Sequence, residues 1–457
     1  MKKLWHKNYT QSTFAEQYCF GDSAVLDTRL VTVDALGSIA HAQMLCAIGV
    51  LTAEEFEQLR KELLKIITLA EKGEFHIASS DEDVHTKIES VLTAKLGHLG
   101  MKIHTARSRN DQVVLDLRLF AKEELFTLSE SLRELAIGFQ KKALEYEFVP
   151  MPGYTHMQKA MPSSVGMWLG SFAESLIDDL ELLRSAFILT DQSPLGAGAA
   201  YGVSLPIDRE MTAQALGFAK VQNNSLYTQP ARYKFQLAIM HGLTQVMLTL
   251  SRLAQDMLLF TTSEFNYFTI ADNLTTGSSI MPQKRNLDVL EILRARTHKV
   301  IGAEQTAASM SAGLASGYNA DFGETKELFM QSLDITRDSV NLCLLVVNSL
   351  KPNEHSLKKA MTSELYATHA AYLLVQKGVP FREAYKQVGL TLDQIPEYDA
   401  LEVLQASNHI GGPGNLLLQN ITKAIKEEQK WWEKKEAHYA AAIEGLKKAD
   451  FRHTFRR

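Results

Sequence analysis

The chain has 457 residues, 46% hydrophobic and 22% charged, with a formal net charge of −5 at pH 7. That length holds two or three domains with ample buried surface, and the composition is ordinary for a globular protein. The acidic balance without a sustained basic block excludes nucleic acid as the main partner, and no run of about 18 uncharged apolar residues offers a membrane span. Cys19, Cys46 and Cys343 are scattered and match no metal-ligand spacing, and so few cysteines suit a reducing compartment. The start "MKKLWHKNYT" is basic but is not followed by the apolar core of a leader, so the expectation is a cytoplasmic protein.

Taken in chain order, the predicted elements are helices almost throughout, and strand signals are nearly absent. "LTAEEFEQLRKELLKIITLAEKG" has a Thr cap, acidic residues in its first turn, apolar residues at helical spacing and a terminal glycine. From Arg107 to Tyr146 there is no proline and only Gly138, with Val113, Leu117, Phe120, Leu125, Leu132 and Ile137 apolar. Those 40 or so residues would span roughly 60 Å as a helix. Similar segments run over Pro162–Thr190, Pro230–Thr262, Leu287–Ala312 and Thr325–Leu350. Several are too apolar to have a wet face, which predicts an all-α protein built on an elongated bundle of five long helices, packed against other subunits. Three regions are expected: residues 1–105 with shorter helices, 106–360 holding the bundle, and 361–457 with shorter helices again and turns at "KGVPF" and "HIGGPGN".

Chemistry in such a bundle belongs at the breaks between helices. "HTARSRNDQ" (His104–Gln112), "MPGYTHMQKAMP" (Met151–Pro162) and "TTGSSIMPQKRNLD" (Thr275–Asp288) each precede a long helix, whose start offers free N–H groups and a positive dipole end. Each also has a plainer reading. Arg107, Arg109 and Asp111 serve equally as ion pairs around a helix start, with Asn110 or Asp111 as its cap. His156 serves as a turn histidine, and "GSS" as a capping turn. Jointly the three segments describe an anion-binding pocket with proton-transfer candidates. No His-x-x-x-His or Glu-x-x-His pair supports a metal, no Gly-x-x-x-x-Gly-Lys loop a nucleotide, and no Gly-x-Ser-x-Gly elbow a hydrolase. The expectation is therefore no metal and no cofactor.

"GSSIMPQKRN" resembles the G-S-S-x-M-P-x-K-x-N pattern of the fumarase/aspartase superfamily of lyases, which is long and specific. More narrowly, "DSAVLDTRL", "DEDVHTKIE", "HTARSRNDQ", "MPGYTHMQ", "SPLGAGAAYGVSLPIDRE" and "KGVPFREA" are similar to motifs of the argininosuccinate lyase family and occur in its order. The resemblance implies an all-helical, three-domain subunit in a homotetramer, with active sites shared between subunits. It also implies a reversible, cofactor-free elimination of argininosuccinate to arginine and fumarate. Such chemistry removes a weakly acidic proton beside a carboxylate, so it needs a base and preorganised positive charge.

On the matching positions, the resemblance makes Ser278 and His156 the proton-transfer pair, without deciding which is base and which is acid. Lys284 and Asn286 would hold the developing dianionic carboxylate, and Glu291 would orient the histidine. Ser23, Asp27, Arg109, Asn110, Thr155, Tyr318 and Lys326 would bind substrate, Asp27 meeting a cationic amino group. The family segment Y-N-R-D-L-Q-E-D-K stands here as "YNADFGETK", with Ala320 for arginine and Gly323 for a substrate-binding glutamine. Ala106, Met161 and Leu287 depart from the usual Gly, Gln and Pro. These changes leave the elimination chemistry intact but open the amine half of the substrate. A related carbon–nitrogen lyase acting on another N-substituted aspartate, and a catalytically silent, crystallin-like structural member, are the alternatives.

Overall fold

The computed structural model describes residues 23–78 and 81–448, preceded by residues 12, 14, 15 and 18; the side chains of residues 23 and 24 are outside that description. Cys19 and the basic tail "FRHTFRR" likewise lie outside the described residues. The helices are α1 (Ser23–Asp27), α2 (Val31–Ala47), α3 (Ala53–Glu71), α4 (Val84–Leu96), α5 (His98–Lys102) and α6 (Arg109–Glu145). A hairpin of β1 (Pro150–Thr155) and β2 (Gln158–Ser164) follows, then α7 (Val165–Thr190), α8 (Arg209–Ala215), α9 (Ala231–Phe260), α10 (Asp288–Ser311) and α11 (Thr325–Ser349). Beyond them come α12 (Glu354–Ala360), α13 (Ala367–Gln376), α14 (Phe381–Gly389), α15 (Ala400–Ala406) and α16 (Leu418–Lys448).

Local chemistry sets the helix starts. Thr52 and Glu55 form a reciprocal capping box on α3, with N···O distances of 3.2 and 3.0 Å. On α6 the Ser108 hydroxyl caps the helix, while Asp111 reaches back to the Ser108 N–H at 2.9 Å. The caps expected there, Asn110 or Asp111, thus resolve into a Ser108 cap completed by Asp111. Helices α6, α7, α9, α10 and α11 are the five expected long segments, 24 to 37 residues each, and they pack on one another as one bundle.

Three local findings depart from the sequence expectations. Met151–Pro162 is most of a two-stranded antiparallel hairpin rather than a loop, so α7 begins at Val165 and not at Pro162. Four further two-residue strands pair in short ladders. The last region carries the 31-residue α16, which lies against α6 and α7. Trp432 of α16 meets Phe126 and Phe187 at ring-centroid distances of 6.4 and 5.4 Å, which fixes that helix to the bundle. Finally, Val25–Ala47 is long and apolar enough to cross a membrane by length and composition, yet 83% of its apolar window is buried in the protein. Residues 33–45 of α2 are buried almost without interruption against α3 and α6, so a helix surrounded by protein accounts for its composition.

Candidate active site

The signature loop spans the gap between α9 and α10. Thr276 and Asn286 exchange backbone hydrogen bonds at 3.0 and 2.8 Å, which closes the loop at its base. Thr276 also donates its hydroxyl to Asp288 at the start of α10, and Arg285 bonds Asp272 at 2.5 Å. Within the loop, the Ser278 hydroxyl oxygen accepts the N–H groups of Met281 at 3.1 Å and Ile280 at 3.4 Å. Two N–H dipoles aimed at one oxygen are what an alkoxide needs, because they stabilise its charge without reorganising. Lys284 stands exposed in the same loop, and the Asn286 amide reaches Gly277 O and Thr276 Oγ1 at 3.5 Å. Gly277 has no left-handed φ and open space where a Cβ would lie, so this chain alone does not demand a glycine there.

His156 sits at the tip of the β1–β2 hairpin. Thr155 and Gln158 are paired, so His156 and Met157 form the two-residue connection, with φ of 52° and 62°. Both angles positive is the type I′ geometry that matches strand twist, and non-glycine residues pay about 1–3 kcal/mol each for it. The strained turn leaves His156 exposed, beside the exposed Thr155. The hairpin is held from below: Tyr154 and Tyr267 share a 2.8 Å hydroxyl bond, and Lys159 donates to Ala360 O at 2.7 Å.

A third group gathers where α1, α4, α6 and α11 meet. Asp27 pairs with Lys326, both buried, and its other oxygen accepts the Val84 N–H at 3.1 Å at the start of α4. Arg109, offered by sequence as a substrate ligand, is engaged by Glu82 and Asp83. Asn110 opens α6 beside it, and Tyr318 stands 45% exposed with its ring 6.0 Å from Phe322. Ser23 lies in α1, on the same short helix as Asp27, and its side chain is outside the described residues. Asp111 is buried beneath: its second oxygen accepts the N–H groups of Gly196 and Gly198 at 3.1 and 2.9 Å, tying "SPLGAGAAYG" to α6. Burial, opposed by those N–H groups, leaves its pKa raised to about 6.

Within the chain, these three groups stand apart. No hydrogen bond or ion pair among the described residues joins His156 to Ser278 or to Glu291, which lies exposed in the first turn of α10. Sequence reasoning also missed two buried features. One is Arg232 near the start of α9. The other is Asp34, His85 and Asp116, whose ligand atoms lie within 4.8 Å of one another, a spacing that would admit a metal ion. His85 hydrogen-bonds Asp34 and lies 3.7 Å from Asp116. Burial alone would lower the imidazole pKa, but Asp34, with Asp83 and Asp116, lifts it to about 9. The carboxylates thus favour a protonated imidazole, while burial and Asp34 push the Asp116 carboxyl well above its usual range.

The His85 shift makes a stability prediction. A folded pKa above the unfolded value of about 6.5 gives stabilisation fully present below pH 6.5 and lost as pH rises through 9. Denaturant unfolding should show stability falling across that window, and His85→Gln should flatten the fall. An unchanged slope in the variant would count against His85 as its source.

Residues 8–302 match the family model described as Lyase. The chain is 40% identical to the argininosuccinate lyase of Parabacteroides distasonis over 93% of this chain and 95% of that one. It is likewise 40% identical to that of Thermotoga neapolitana over 85% and 97%. The chain belongs to the argininosuccinate lyase family. Among solved structures, an EDDS lyase in complex with formate superposes with TM-score 0.82 at 23% identity, covering 96% of this chain and 95% of that one. A class II fumarase from Schistosoma mansoni superposes with TM-score 0.73 at 18% identity, covering 89% and 97%. At those identities the likeness speaks for the fold alone.

Proposed function

We propose that the chain catalyses the reversible elimination of argininosuccinate to arginine and fumarate, as the name of its relatives says of them. The observation that carries the reading is Ser278 with its oxygen in the Ile280 and Met281 N–H pair, in one loop with Lys284 and Asn286. Ser278 and His156 are the proton-transfer pair, one taking the proton from the carbon beside the carboxylate and the other serving the departing nitrogen. As the carbon–hydrogen bond breaks, its electron pair moves onto the carboxylate, where Lys284 and Asn286 bind the added charge. The carbon–nitrogen bond then breaks, the double bond of fumarate forms, and the guanidino nitrogen leaves with a proton. Nothing is oxidised or reduced, so base, acid and anion receptor suffice.

The active sites are shared between subunits of a homotetramer. Support comes from the lack of any hydrogen bond between His156 and Ser278 among the described residues, and from Leu182, Ile188, Leu248, Ile292 and Leu345, apolar side chains left exposed on the bundle helices. Glu291 would then orient the histidine of a neighbouring subunit, with Ser23, Asp27, Asn110, Thr155, Tyr318 and Lys326 around the substrate. Arg109 acts by holding Glu82 and Asp83.

One observation favours a second reading. Gly323 stands where the family pattern has a substrate-binding glutamine and has open space where a side chain would stand, so a side-chain contact to the amine half is missing there. Fumarate absorbance measured across a series of aspartate adducts separates the two. Fastest release from argininosuccinate is expected; silence there with turnover of another adduct would establish the second reading.

A further inference from the structure

The first two turns of α9 carry a buried polar stripe that none of the site residues above explains. Arg232 and Gln236 fall four residues apart on one face of α9, and Gln229 just precedes the helix; the three are 2%, 0% and 0% exposed. Arg232 Nε and Nη2, Gln236 Nε2 and both amide atoms of Gln229 have no hydrogen-bond partner among the described residues. Gln236 is nonetheless fixed, its oxygen 3.0 Å from the Thr325 hydroxyl at the head of α11. The adjoining Tyr233 meets the "YNADFGETK" segment: its ring lies 4.7 Å from Phe322, tilted by 39°, and Phe322 lies 6.0 Å from Tyr318.

Charge in this corner does not balance. Of the groups whose field acts on the Arg232 guanidinium, Tyr318 and Tyr233 are phenols and Asp27 is the one carboxylate. Asp27 is already paired with Lys326. No ion pair to Arg232 is present among the described residues, and its spare donors are N–H groups in a fork that suits a carboxylate. A buried guanidinium without an acceptor is costly, and a ligand carboxylate would remove that cost.

We infer that Arg232, backed by Gln236, is a specificity-determining residue that recognises a carboxylate on the amine half of the substrate. This rests on the proposed reading of the site, in which Lys284 and Asn286 serve the succinyl half and the Tyr318–Lys326 segment the amine half. Argininosuccinate has one carboxylate on that half, the amino-acid carboxylate of its arginine portion.

The test compares argininosuccinate with the fumarate adduct of agmatine, which lacks that carboxylate, on the purified oligomer. Arg232→Gln should lower kcat/KM for argininosuccinate about 10- to 100-fold, mainly through KM, and change the agmatine adduct less than about 2-fold. Arg232→Lys keeps the charge without the fork and should fall between. Equal losses on both substrates, or no loss on either, would overturn the inference. Independently of any variant's folding, the unmodified protein should bind arginine at least about tenfold more tightly than agmatine; equal affinities would also overturn it. Failure of the unmodified protein to release fumarate from argininosuccinate would instead remove the functional reading itself.

Discussion

Replacing Ser278 with alanine is expected to lower kcat by about 100- to 10,000-fold while leaving the oligomer and its unfolding transition unchanged. The structural reason for the second half is that the half-buried Ser278 hydroxyl, among the described residues, accepts only two N–H groups of its own loop. Loop closure rests on the Thr276–Asn286 backbone pair and the Thr276–Asp288 and Arg285–Asp272 bonds, all untouched by the change. Fumarate release measured beside size-exclusion chromatography checks both halves. Activity within about threefold of the parent would remove Ser278 from proton transfer, and an inactive parent would point to the silent structural member.

The second large effect concerns assembly. His156→Ala and Ser278→Ala proteins should each be nearly inactive, yet mixing them after dissociation should restore activity. If each site takes its histidine and its serine from different chains, random reassembly leaves about a quarter of sites with both. The geometry behind this is the hairpin tip carrying His156, held by Tyr267 and Ala360, while Ser278 belongs to the α9–α10 break. Mixed oligomers demonstrated by tag exchange but lacking recovered activity would refute sharing.

The contrast between Ser278 and His156, the two residues proposed for proton transfer, shows where sequence reading reaches and where it stops. Ser278, Lys284 and Asn286 lie within nine residues, so one local segment carries their meaning. His156 was legible as a residue type, but its setting was not. "MPGYTHMQKAMP" has two prolines and alternates poorly, and only pairing with a partner strand turns it into a hairpin with a strained tip. Arg109 shows the reverse. The resemblance offers it as a substrate ligand, whereas the plainer reading of the residues is an ion pair, and Glu82 and Asp83, about 26 residues earlier, are the partners it meets in the chain.

By itself, the sequence determined the long helices, because a 3.6-residue apolar period and the absence of proline act over neighbouring residues. It also determined the chemistry of the loop, whose reactive groups are near neighbours along the chain. Tertiary structure alone decided which charges are spent and which are spare. Asp27 meets Lys326 across 299 residues, and nothing in "QPARYKFQ" distinguishes a buried Arg232 from a solvated one. Burial and pairing depend on what the rest of the chain brings to the same place, and periodicity holds no record of that.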